Sequence, residues 1–191
     1  MATSFEMMSL IFGNRLVFWG LIIAEFGLVI GLNALLNRIS AFTATLMFLL
    51  YAVVNGATLA SIFVLYTMSS IASTFFVAAV TFAVMAIYGA TTKSDLTKIG
   101  NICFMALIGV IIASLVNLWL QNSIMQLIIS IIGVLLFVGI TAYDAQKIKQ
   151  MLYGAEENDT TQKLAVVGAL ALYLDFVNLF LYLLRLFGRR D

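Results

Sequence analysis

Six long, almost unbroken apolar runs alternate with short polar stretches along this 191-residue chain, at roughly 16–36, 42–66, 70–91, 100–119, 124–147 and 163–187. Each is close to the ~20 residues that an α-helix needs to cross the hydrocarbon of a bilayer. Their apolar character runs around the whole helical circumference, which excludes short amphipathic surface helices. The ten-residue alternating strands of an outer-membrane barrel are absent. The pattern predicts an all-α, polytopic transmembrane helix bundle: one domain over residues 1–191, with six spans. Most connections are short, at Asn37 to Ala41, Thr67 to Ser69, Thr92 to Ile99 and Gln121 to Ser123. A longer one, Met151 to Gln162, holds Glu156, Glu157 and Asp159, and Asp159 or Thr160 reads as the N-cap of the last helix. No internal repeat, linker or low-complexity tract interrupts the pattern.

Composition sharpens this. The chain is 63% hydrophobic and 10% charged, with a mean hydropathy of +1.11, whereas a soluble domain is about 25% charged. A lipid bilayer is therefore the implied surrounding. A net charge of +1 leaves no basic footprint for nucleic acid. Cys103 is the sole cysteine and has no internal disulfide partner. With no proline, helix breaks must come from glycine or polar residues. The first ten residues lack the basic region and cleavage site of a signal peptide. Arg38, Lys93, Lys98, Lys147, Lys149 and Lys163 collect on one side, while Arg15, Arg189 and Arg190 sit at the chain ends on the other. The first side is expected to be cytoplasmic, with both termini outside. The sequon Asn158-Asp159-Thr160 then falls on the cytoplasmic side and is discounted. The absence of histidine removes the usual serine, cysteine and zinc hydrolase schemes. No phosphate-cradling glycine loop is present.

Against this background two acids stand out. Asp144 lies in the fifth run, within FVGITAYDAQK, and Asp175 in the sixth, within GALALYLDFVNLF. An acid at the bilayer centre costs roughly 2.5–3.5 kcal/mol on insertion scales, so it persists mostly where it has a role or a partner. Two carboxylates in a low-dielectric setting can share one proton, because their negative charges resist coexisting. Such a pair titrates near neutral pH without histidine. The plainer alternatives are that Asp144 pairs with Lys147 one turn on, or that Asp175 pairs with Arg185, from which about 15 Å of helical rise separates it. In the last run Gly168, Ala171, Asp175, Asn178, Tyr182 and Arg185 share an arc of about 100°. A helix with such a stripe fits the middle of a bundle, where the polar face lines a water path or glues helices together. Asn178, Tyr182 and Arg185 are thus candidate ion-path residues. Glu25, in the first run, either serves ion passage or packs against a polar neighbour such as Asn55 or Asn117. Arg38 is either a snorkelling anchor or a counter-charge for the aspartates. Gly27-x-x-x-Gly31 signals close helix contact and nothing more.

Three stretches carry a family resemblance: Tyr88-Gly89-Ala90-Thr91-Thr92-Lys93-Ser94-Asp95-Leu96, Phe137 to Lys149, and Gly168 to Gly188, GALALYLDFVNLFLYLLRLFG. They resemble the Bax inhibitor-1 family (the transmembrane Bax inhibitor motif proteins) in its bacterial branch, over nearly the whole chain. The resemblance implies a bundle with the last helix central, in the bacterial inner (plasma) membrane. It implies a pair of aspartates acting as a pH sensor for calcium leak, matched by Asp144 and Asp175, and a basic latch matched by Arg38. The family has seven spans, and the opening helix here resembles its second, so the chain is expected to lack the first. Glu25 lies about two residues from an acidic position of some relatives.

The expected function is a pH-sensitive calcium leak channel, not an enzyme. Asp144 and Asp175 share a proton when closed and offer hard oxygen ligands to calcium when open. Calcium is the permeant ion, and no cofactor is expected. One alternative is a non-conducting regulator that binds other membrane proteins, such as membrane proteases, through the Met151–Gln162 loop. Another is an intramembrane aspartyl protease: Tyr143-Asp144 fits its first half, but Leu172-Tyr173-Leu174-Asp175 lacks the glycines of the second.

Overall fold

The computed structural model describes residues 15–36 and 38–189, with Arg15 and Phe18 as backbone only. Asn37, Arg190, the first ten residues and the Arg15 side chain, which figure in the expectations above, lie outside the described residues. Those described form seven helices: α1 Arg15–Leu35, α2 Ala41–Leu59, α3 Ile62–Leu65, α4 Met68–Thr91, α5 Thr97–Leu120, α6 Ser123–Leu152 and α7 Asp159–Phe187. Five stretches are long and apolar enough to cross a membrane: Ala41–Leu65, Met68–Thr91, Thr97–Leu120, Ser123–Leu152 and Asp159–Phe187. The apolar part of α1, Trp19–Leu35, is shorter. The fold is the expected all-α, polytopic one.

Local chemistry sets the boundaries. Hydroxyl and amide side chains cap the orphan N–H groups of the first turns. Ser40 accepts from Thr43 N at 3.2 Å and Thr67 from Ser70 N at 3.3 Å. Asn122 accepts from Met125 N at 3.0 Å. The cap of α7 is Asn158, which accepts from Thr161 N at 2.9 Å, and not Asp159 or Thr160 as expected. The second apolar run breaks between α2 and α3 without proline. There Ala60, Ser61 and Phe63 bond carbonyls three residues back, and Ser61 Oγ donates to Thr58 O at 3.1 Å. Such hydroxyl–carbonyl bonds compete with the helical ladder. Helices α6 and α7 run beyond their apolar stretches into polar residues, where leaving the hydrocarbon carries no penalty.

The chain divides into two units. The first comprises the residues up to Tyr66 and Glu156–Val167, so it takes in α1 to α3 and the start of α7. There α1 packs on α2, with Leu32, Ala41, Ala44 and Tyr51 buried. Asp159 makes a different use of its carboxylate from the one expected. Its Oδ1 accepts from Ala41 N at 2.9 Å and its Oδ2 pairs with Lys163 Nζ at 2.8 Å. Lys163 also donates to Ile39 O at 3.1 Å. This acid–base pair ties the start of α7 to the turn that opens α2.

The second unit comprises Thr67–Ala155 and residues 168–190. Within it α6 packs against α4 and α5, and the α7 segment packs on α4 and α6. Phe176 meets Phe75 and Phe82 edge-on, with ring centroids at 5.4 and 5.5 Å. Of the apolar windows of α6 and α7, 39% and 33% are buried, against 22% for α4 and 17% for α5, so these two helices are the inner ones. Close approach rests on glycine. A Cβ on Gly89 of α4 would land on the Ala142 carbonyl of α6. One on Gly100 of α5 would strike the Tyr143 ring at 2.5 Å, and one on Gly133 the Tyr182 ring at 2.6 Å.

Gly89→Ala should therefore destabilise the protein by about 1–3 kcal/mol or more, because the obstacle is backbone and not a movable side chain. Gly109→Ala, whose Cβ would meet nothing within 4 Å, is the matched control and should leave thermal unfolding in detergent unchanged. Equal melting of the two variants would show that α4 and α6 do not touch at Gly89.

Candidate functional site

The two aspartates are brought to the α6–α7 contact by packing at either side of them. Gly168 of α7 lies against Ile148 of α6, and Tyr182 lies against Gly133 and stacks on Phe137 at 5.8 Å. The helices are thus antiparallel. That register sets Asp175 level with Thr141, three residues, or about 4.5 Å of helical rise, from Asp144. Asp144 and Asp175 are close enough for their charges to interact. Asp175 is 4% exposed, and its Oδ2 is shielded from water with no hydrogen-bond partner. An orphaned buried oxygen costs about 1–3 kcal/mol and calls for a reason, such as a functional role. The next residue, Phe176, meets the rings of Phe75 and Phe82 of α4. Thr141, buried beside the pair, spends its hydroxyl on Phe137 O at 2.6 Å.

Asp144 is half-buried. The field of Lys147 reaches it, but no direct ion pair forms. Lys147 lies over the Tyr143 ring at 5.8 Å instead. The simple pairing with Lys147 is therefore a longer-range influence. Among the described residues no group of three His, Cys, Asp or Glu is placed to hold a metal ion, so the two acids form no resident metal cage.

The other candidates are placed as follows. Asn178 is half-buried and donates to Leu174 O of its own helix at 2.8 Å, which leaves its carbonyl oxygen for other partners. Arg185 is exposed and sits over the Tyr182 ring at 5.4 Å, far from any pairing with Asp175. Glu25 and Arg38 belong to the first unit. Arg38 is exposed; Glu25 is half-buried, and its Oε1 has no hydrogen-bond partner.

One residue of this region was missed by sequence reasoning. Gln146, 6% exposed, accepts from Leu96 N at 2.9 Å and donates to Ser94 O at 2.8 Å. Lys149 Nζ donates to Ala90 O at 2.6 Å. Gln146 thus fastens the α4–α5 loop, and Lys149 the last turn of α4, to α6 just beyond Asp144. In the same loop Asp95 accepts from Thr97 N at 2.9 Å, and the Thr97 hydroxyl and N–H hold its carboxyl below the usual carboxylate range. The signal was a neutral amide in an otherwise apolar run, a pattern that also fits a lipid-interface residue.

Comparison with known proteins converges on one family. A family model described as inhibitor of apoptosis-promoting Bax1 matches residues 1–191. The chain is 51% identical to inner membrane protein YbhL of Escherichia coli K12, over 99% of this chain and 82% of that protein. It is 49% identical to an uncharacterized protein of Borreliella burgdorferi, over 95% of this chain and 79% of that one. An uncharacterized membrane protein of Streptococcus pyogenes is 39% identical, over 97% of this chain and 80% of its own length.

Gln146→Leu should orphan the buried Leu96 N–H, at about 1–3 kcal/mol. Hydrogen exchange at the Leu96 amide should then speed up by roughly tenfold or more. Lys149→Ala should leave that amide protected. Unchanged Leu96 exchange in Gln146→Leu would remove the tether.

Proposed function

The chain belongs to the Bax inhibitor-1 family, and we propose that it is a pH-sensitive calcium leak channel of the bacterial inner membrane, gated by Asp144 and Asp175. The observation that carries this reading is the pair itself: two acids from α6 and α7 within electrostatic reach, one of them buried with an unpartnered oxygen. Family membership and a multi-pass, strongly apolar chain support the membrane setting.

The mechanism follows from charge. With one proton between them, the pair carries a single negative charge and α6 and α7 stay together. When that proton leaves, two like charges repel each other across the α6–α7 contact. At short range and an effective dielectric near ~20 such repulsion amounts to a few kcal/mol. That is enough to shift a helix-packing equilibrium on the order of 100-fold. Freed carboxylates are hard oxygen ligands suited to transient calcium contact, and two of them without a third acid favour passage over capture. Raising the pH opens the path. The aspartyl-protease alternative has less to rest on, since the Asp175 segment carries no neighbouring glycine for a substrate backbone.

In proteoliposomes with an internal calcium dye, flux should rise between about pH 5 and pH 8. Asp175→Asn and Asp144→Asn, each removing one charge, should flatten that rise. Flux indifferent to pH in the wild type and unchanged in Asp175→Asn defeats the gate.

A further inference from the structure

A second polar feature lies at the other end of the same unit, away from Lys93, Lys98, Lys147 and Lys149. There α5, α6 and α7 enclose a pocket of about 610 Å³, within the range of small-ligand sites. Its polar lining is Ser114, Asn117, Gln121, Gln126, Tyr182 and Arg185, and the rest of its wall is isoleucine and leucine. No carboxylate among the described residues lines it.

The described lining carries one cation and no acid. Asn117 Oδ1 already accepts from Asn122 N at 3.0 Å, which leaves its amide N–H groups to offer. Arg185 contributes a guanidinium, held over the Tyr182 ring and in no ion pair with a described acid. Tyr182 is itself fixed by Gly133 and Phe137, so the cation is presented from a rigid base. Gln121, which ends α5 in the left-handed region at φ 49°, sets its amide on the same rim. Gln121, Gln126, Tyr182 and Ser114, whose hydroxyl donates to Val110 O at 2.7 Å, add neutral acceptors, but no described carboxylate of the lining answers the guanidinium.

We propose that this pocket binds a phosphate group, that of a membrane phospholipid headgroup. A guanidinium flanked by amides matches phosphate oxygens in geometry and charge. The isoleucine and leucine walls suit the glycerol and upper acyl chain that accompany such a group. The site is separate from the aspartate pair and uses neither acid. It also gives Arg185 a role other than lining a cation path, where its charge would repel calcium.

The test is native mass spectrometry of the detergent-purified full chain with three probes: phosphatidylglycerol, phosphatidylcholine and inorganic phosphate. The expected result is one retained phosphatidylglycerol, bound about tenfold more weakly by Arg185→Gln, with Arg185→Lys intermediate. Competition by inorganic phosphate at one equivalent would assign the same site to free phosphate, and equal retention of phosphatidylcholine would assign it to phospholipid phosphate in general. Equal binding of all three probes by wild type and Arg185→Gln overturns the proposal. Because Arg185 is exposed, the variant should fold, and an unchanged melting temperature checks this. The readout is binding and not flux, so its failure and that of the calcium-leak reading are distinguishable.

Discussion

In a bilayer, helices gain little from apolar contact alone, because lipid tails are as apolar as leucine. Close backbone approach and interhelical polar contacts must hold them. Around α6 that approach is made by glycine. Gly89 admits the Ala142 carbonyl, Gly100 the Tyr143 ring, Gly139 the Cys103 sulfur, Gly133 the Tyr182 ring and Gly168 the Ile148 side chain. These contacts fix α6 against α4, α5 and α7, and they set the register in which Asp144 and Asp175 approach each other. The electrostatics of the pair are a consequence of this packing, since Asp175 Oδ2 has no hydrogen-bond partner among the described residues to position it independently.

Polar side chains do a complementary job at the helix ends. Gln146 holds the α4–α5 loop, and Lys149 the last turn of α4. At the far end Arg189 donates from its N to Ser70 Oγ at 2.9 Å and accepts from Thr67 N at 3.2 Å, joining the end of α7 to the start of α4. In the first unit Asp159 and Lys163 do the same for α2. None of these contacts needs water, as suits segments that enter or leave hydrocarbon.

Much of this was legible in the sequence. Apolar run length located the helices to within a few residues, because hydrocarbon thickness imposes it. Two isolated acids in apolar runs singled out the candidate pair, whereas of the six stripe residues of the last helix only Gly168 and Asp175 are buried, and Leu, Val and Phe fill its other buried positions. Other features were not legible. The run from 42 to 66 reads as one helix, while its break at Ala60 and Ser61 depends on carbonyl competition that no apolar pattern records. Asp159 looked like a local cap, yet its oxygen reaches Ala41, more than a hundred residues away in sequence. Gln146 carried no periodic signal, since its partners are backbone atoms of a loop whose path only tertiary packing defines. The grouping of Arg185 with Asn117 and Gln121 likewise arises only when three helices come together.

The antiparallel seating of α7 on α6 also bears on how the molecule is made. The ribosome delivers Asp144 before Asp175, by a few seconds at roughly 5–20 residues per second. Through that interval α6 sits in the nascent chain with its Gly133 face uncovered and only the distant Lys147 to moderate its acid. Membrane insertion yields a helix carrying one isolated carboxylate. The two acids come together at a later stage, when two already-threaded segments dock side by side, so the proposed proton gate would be a property of assembly and not of translocation.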